Sequence, residues 1–178
     1  MNKKKLVTEM GRIDRDAFAQ SQKLPLVVVL DNVRSLHNVG SVFRTSDAFR
    51  VECIMLCGIT ATPPSAEIHK TALGAEDVVD WKYYESTMDA VAELRSQGYR
   101  IYSIELCQGS IALQDFVTAP GERYAVVFGN EVKGVQQDVV DASDGAIEIP
   151  QFGTKHSLNV SVTAGMVIWE FAKRLGLV

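Results

Sequence analysis

Two short runs, PLVVVL at 25–30 and RYAVVF at 123–128, limit what this chain can fold into more than any other feature. Both are rich in β-branched or aromatic residues and too short for a buried helix. A strand with one face in water alternates apolar and polar positions. A nearly continuous apolar run is what a strand needs when helices cover both faces of its sheet, the usual setting of parallel sheets.

The rest of the chain fits that setting. Further strands are expected at 52–56, 77–84, 100–106 and 145–149. Helices are expected at 38–49 with Asn38 as cap, at 65–73 stopped by Gly74, and from Thr87 to a stop at Gly98. Two more are expected at 135–140 and 159–175, the second capped by Ser157 or Asn159, and a short one near 14–22. Strands alternating with helices imply an α/β fold with a mostly parallel sheet flanked by helices. Such sheets bind ligands at the carboxyl ends of their strands, which directs attention to the loops after Leu30, Leu106, Phe128 and Ile149. Residues 1–23 read as an N-terminal tail carrying Lys3, Lys4 and Lys5, and residues 24–178 as one domain.

Composition narrows the function classes. No apolar run approaches the roughly 20 residues that span a bilayer, and no secretory signal follows the first lysines, so a cytoplasmic protein without membrane partners is expected. Three scattered cysteines, Cys53, Cys57 and Cys107, do not make a disulfide framework, and no Cys/His spacing calls for zinc. The formal net charge of −4 does not announce a nucleic-acid binder, although a local basic patch can act within an acidic chain.

Three stretches carry candidate chemistry. In HNVGSVFR, Asn38 is followed by Gly40, which lets a backbone or ligand approach the helix, and by Arg44, whose planar fork suits phosphate. In FGNEVKG, Gly129 and Gly134 flank Asn130 and Glu131. Val135 and Gln136 stand where a phosphate-cradling loop needs Lys and Ser/Thr, so a nucleoside-triphosphate site is disfavoured. No G-x-G-x-x-G follows a strand. In IPQFGTKHSLNVSV, hydrogen-bonding groups crowd a strand-to-helix loop. His156 beside Ser157 is no hydrolase pair, because adjacent side chains rarely face one another and no G-x-S-x-G elbow surrounds the serine. His37 and His69 are lone histidines, expected to be structural.

Taken in order, these stretches resemble the SpoU-TrmH family of the SPOUT superfamily, RNA ribose 2′-O-methyltransferases that use S-adenosylmethionine. The matching residues are Asn38, Gly40 and Arg44; Gly129, Asn130, Glu131 and Gly134; and Ile149, Pro150, Gly153, Ser157, Leu158 and Asn159. The resemblance covers about 26–175. It implies a catalytic domain whose C-terminal part threads into a deep trefoil knot, a topology no sequence argument would propose. It implies a cofactor held mostly by backbone groups at Ile104, Glu105, Gly129, Ile149, Ser157 and Leu158. It also implies a homodimer in which Arg44 reaches a site completed by both subunits, with Val162, Met166 and Trp169 of the last helix as a contact face. No metal is required.

On this resemblance the reaction is attack of a ribose 2′-oxygen of tRNA or rRNA on the methyl sulfonium. Free arginine seldom gives up its proton, so Arg44 is assigned to orienting phosphate and stabilising developing negative charge. Asn38, Glu131, Ser157 and Asn159 would hold that arginine and the substrate. Gln151 departs from the family's usual Met beside the cofactor pocket, and no added RNA-binding domain fits before Leu26. Two other readings remain: a non-catalytic RNA-binding or assembly protein on the same fold, and a base-directed SPOUT methyltransferase.

Overall fold

The computed structural model describes residues 2–155 and 157–178. Thirteen elements follow one another: α1 (Arg15–Gln20), β1 (Leu24–Asp31), α2 (Leu36–Ala48), β2 (Val51–Cys57), α3 (Ala66–Ala72), β3 (Trp81–Tyr84), α4 (Thr87–Ser96), β4 (Tyr99–Ile104), β5 (Ile111–Ala112), β6 (Arg123–Phe128), α5 (Gln137–Ala142), β7 (Gly145–Glu148) and α6 (Val160–Arg174). The seven strands form one sheet in the order β3-β2-β1-β6-β4-β7-β5. Every pairing is parallel.

The two apolar runs lie side by side at the centre, with Leu26 opposite Tyr124 and Leu30 opposite Phe128. Strand side chains alternate between faces, and both faces are covered. Leu26, Val28 and Leu30 pack with Val39, Val42 and Phe43 of α2, Ile68 of α3, and Val167, Ile168 and Phe171 of α6. Val27 and Val29 point the other way, to Ala90, Val91 and Leu94 of α4 and Val139 of α5. Phe18 of α1 is buried in the first of these layers, so the chain is anchored ahead of β1.

Several boundaries differ from the sequence expectation, each for a local reason. Helix α2 begins one turn earlier, because Ser35 rather than Asn38 is its cap and accepts the Asn38 N–H. Asn38 is thereby freed for a long-range contact. Ser86, not Thr87, caps α4, and the Thr87 hydroxyl instead donates to the buried Asp31 at 2.6 Å. The strand expected from 77 starts at Trp81, since left-handed Leu73 and Gly74 lead into a 3-10 turn at Ala75–Asp77. Helix α5 starts at Gln137 instead of 135, because Gln136 takes a non-helical backbone (ψ 141°) as its cap, with its N–H donated to Asp31. The two-residue β5 has no sequence signal of its own and pairs only with β7. At Gly40 a Cβ would overlap the Ile68 carbonyl and the Thr71 hydroxyl, so this glycine serves the close approach of α2 and α3.

Candidate active site

The topology reverses between β1, whose successors β2 and β3 lie on one side, and β6 and β4 on the other. Ligand crevices in parallel sheets form beyond the carboxyl ends of the strands. A cavity of about 520 Å³ opens on the β6 side of that reversal, between the ends of β4, β6 and β7 and the start of α6. Its lining includes Ile104, Glu105, Gly129, Ile149, Ser157 and Leu158, the whole set that the resemblance assigns to a cofactor. Glu131 and Asn159 also line it, whereas Asn38 and Arg44 do not. His156 lies outside the described residues.

The walls suit a ligand gripped by main chain. A Cβ at Gly129 would collide with the backbone of Gly134 and Val135, so the loop folds back on a position that tolerates only glycine. The loop is held by paired Asn130 and Gly134 backbone bonds of 3.0 and 2.9 Å, while the Asn130 side chain accepts from the Val132 and Lys133 N–H groups. Glu105 clamps it from β4, its two oxygens accepting from the Leu106 and Val135 N–H groups. Ile104, Phe128, Ile147, Leu158 and Val160 supply an apolar floor.

Asn38 connects to this site at one remove. Its amide donates to Glu131 at 3.1 Å and accepts from the Asn159 amide at 3.1 Å. The Asn159 oxygen caps α6 through the Ser161 and Val162 N–H groups. Glu131 also accepts from the Arg34 and Ser35 N–H groups at 2.9 and 3.0 Å. Partial burial alone would push its carboxyl up, but these donors together hold it below its ordinary value. One chain of hydrogen bonds thus ties the starts of α2 and α6 to the glycine loop, and leaves Glu131 an anion.

Arg44 sits on another side of α2. Six residues after Asn38 is a rotation of about 240° on a helix, and Arg44 lines a separate cleft with Arg12, Arg15 and Arg50. Sequence reasoning missed Asp31, which is fully buried and accepts from Thr87, Gln136 and Asn32. A polar residue ending an apolar strand was the available signal. It also missed Lys133 and Thr163 in the cavity wall. Other chemistries find little purchase. Burial pushes the Cys53 and Cys57 thiols up to about 12, far from a thiolate at neutral pH. Among the described residues, no group of three or more His, Cys, Asp or Glu side chains is placed to hold a metal ion, and no helix is long and apolar enough to cross a membrane.

The model of the SpoU rRNA methylase family matches residues 25–169, from the second residue of β1 to within five residues of the end of α6. The chain belongs to that family. A 23S rRNA (guanosine-2′-O-)-methyltransferase of Vibrio parahaemolyticus is 29% identical to this SpoU-family chain over 96% of its length and 68% of the relative's. A tRNA (guanosine(18)-2′-O)-methyltransferase of Thermus thermophilus is 29% identical over 92% of the chain and 82% of the relative. The S-adenosylmethionine-bound rRNA methyltransferase of Sinorhizobium meliloti superposes with a TM-score of 0.79 at 27% identity, over 90% of this chain and 60% of that one. The chain spans about two thirds of the length of several curated relatives, 68% and 65% for two of them.

Proposed function

We propose that this SpoU-family chain is a methyltransferase that uses S-adenosylmethionine to methylate a ribose 2′-hydroxyl of tRNA or rRNA. The observation that carries the reading is the coincidence of one cavity, at the strand ends of β4, β6 and β7, with all six residues assigned to the cofactor. The residues fit the group. The floor is apolar, the tight loop at Gly129 lines the cavity, and the carboxylates of Glu105, Glu131 and Glu148 line a space suited to a cationic ligand. When bound, S-adenosylmethionine supplies the methyl group on its sulfonium.

The protein's own work is then positioning and electrostatics. Ile104, Glu105, Gly129, Ile149, Ser157 and Leu158 hold the cofactor. Asn38, Glu131 and Asn159 fix the mouth of the cavity through their shared hydrogen bonds. Ser157, in the cavity wall, faces the substrate side in this reading. Arg44 orients a substrate phosphate and stabilises charge developing on the ribose oxygen.

Since Arg44 does not line the cavity of its own chain, the reading places it in the site of a second copy. Support comes from α6, whose Val162, Met166 and Trp169 are exposed. The Trp169 ring packs edge-on against Phe49, 5.7 Å between centroids, at the end of the helix that carries Arg44. An apolar face beside the arginine is what a homodimer needs to bring it to a partner. The convergence of the loops after β4, β6 and β7 on one cavity fits a C-terminal knot threaded there. The free Cys53, Cys57 and Cys107 fit a cytoplasmic protein.

The test is methyl transfer from labelled S-adenosylmethionine to bulk RNA of cells lacking the gene, with nucleoside mass spectrometry of the product. A 2′-O-methylated nucleoside is expected. A methylated base, which leaves alkaline cleavage at that site intact, would reassign the reaction. Arg44→Ala should retain cofactor binding by calorimetry and lose transfer. Full transfer by that variant would remove Arg44 from the mechanism.

A further inference from the structure

The cleft that holds Arg44 is not explained by cofactor binding. It has a volume of about 730 Å³, and Arg12, Arg15, Arg44 and Arg50 all line it. Two of these come from the segment ahead of β1, one from α2 and one from the α2–β2 turn. In a chain of net charge −4, four guanidinium groups in one cleft are a local reversal of the field. Asp14 and Asp47 share the cleft. Asp14 is engaged as the cap of α1, accepting from the Ala17 N–H at 2.8 Å. Only Arg15 has a carboxylate partner among the described residues, Asp77 at 3.0 Å.

Two features make this more than a solvated surface. The segment carrying Arg12 and Arg15 is held in place, with Phe18 buried in the core and Lys23 stacked 3.4 Å over the Phe18 ring. The backbone that carries these arginines is therefore tethered beside the cleft. Arg50 has a φ of 49°, in the left-handed region where glycine fits without strain. Its backbone accepts from the Leu24 N–H and donates to the Asp47 carbonyl, work that a glycine would do equally well. An arginine held there against its backbone preference points to a use for the side chain.

We propose that this cleft seats the phosphate backbone of the RNA on either side of the target nucleotide, with the N-terminal segment supplying half of its cations. The inference rests on the methyltransferase reading and deepens it. The cleft contains the arginine assigned to the target phosphate, so a strand reaching Arg44 lies along Arg12, Arg15 and Arg50. Guanidinium forks bind phosphate oxygens in pairs. The catalytic domain thereby gains a grip on RNA of its own.

The full-length protein and the variant Arg12→Ala/Arg50→Gly test this, with a single-stranded RNA oligomer of mixed sequence as the binding probe. Each phosphate contact contributes about 0.7 to the slope of log affinity against log salt for single strands. The double variant should therefore lose about 1.4 from that slope. Its KM for RNA should rise with kcat and cofactor affinity unchanged, and its thermal midpoint should hold or rise, because Arg50→Gly relieves the backbone. Arg12→Ala alone, on an exposed side chain, should lose about 0.7 of slope and guards against a folding artefact. An unchanged slope and KM in both variants, with the wild type still methylating RNA, would overturn the cleft and leave the methyltransferase reading standing. A wild type that binds RNA with the arginine-dependent slope but transfers no methyl group would do the reverse.

Discussion

Asn38→Asp is the sharpest perturbation of the network behind the cavity. The change keeps size and shape, and the new carboxylate can still accept from the Asn159 amide. The contact that reverses is the one with Glu131, where a donor 3.1 Å away becomes a second anion. Two unit charges at that separation repel by about 1 kcal/mol with water-like screening and about 5 at an effective dielectric near 20. Glu131 is exposed, which favours the lower half of that range, about 1–3 kcal/mol. Loss of the amide donor adds roughly 1 kcal/mol. A domain of this size shifts its midpoint by about 2–4 °C per kcal/mol, so scanning calorimetry at pH 7 should find the variant melting on the order of 5–15 °C lower.

The pH dependence supplies the refutation. In the wild type Glu131 is held below its ordinary value, so its stabilisation is complete above the unfolded carboxylate range and is lost as pH falls through the folded value. In the variant the like-charged pair pushes one folded carboxyl above its unfolded value. That penalty is full at pH 7 and fades as the pair takes up a proton. The gap between the two proteins should therefore narrow on going from pH 7 to pH 5. A gap that is absent at pH 7, or that widens on acidification, would show that Asn38 and Glu131 are not coupled as described.

Gly129→Ala should abolish cofactor binding by calorimetry and cost about 1–3 kcal/mol of stability, because its Cβ has only the backbone of Gly134 and Val135 to displace. The Ser46 hydroxyl is buried without a hydrogen-bond partner, so Ser46→Ala should raise the thermal midpoint by about 2–4 °C for roughly 1 kcal/mol gained; a lower midpoint would refute this. On the proposed dimer, Met166→Asp on the exposed face of α6 should shift sedimentation towards monomer and reduce transfer more than cofactor binding; an unchanged sedimentation would refute that contact.

The parallel sheet was legible because the runs around Val28 and Val126 have no other comfortable environment. The residues assigned to the cofactor, which line one cavity, were reached through motif order. Spacing alone could not have gathered Ile104, Gly129 and Leu158, which meet only through strand order. What stayed hidden was set by contacts distant in sequence. Asn38 has the composition of a cap, and only Glu131 and Asn159, across the fold, explain why Ser35 takes that role. Asn38 was expected to hold Arg44, but the helical turn separates them, Asn38 bonding to the Glu131 and Asn159 that line one cavity while Arg44 lines another cleft. The N-terminal segment looked like a tail because Phe18, an apolar side chain that anchors it, has no periodic companions.

Strand order also constrains the sequence of events when the chain is made. β1, β2 and β3 can pair as soon as they emerge, but the open edge of β1 faces the place of β6, which appears only at Arg123–Phe128. β4 has no neighbour until β6 and β7 arrive, and β5 has none until β7. Two strands must therefore slide between, or alongside, partners that have been waiting. An apolar strand with a bare edge is a template for the wrong neighbour, and pairing across such long separations is slow. The nascent protein should pass through a stage in which β1, β2 and β3 are paired while the edges of β1, β4 and β5 stay bare, and crowding by other nascent copies would be most damaging during that interval.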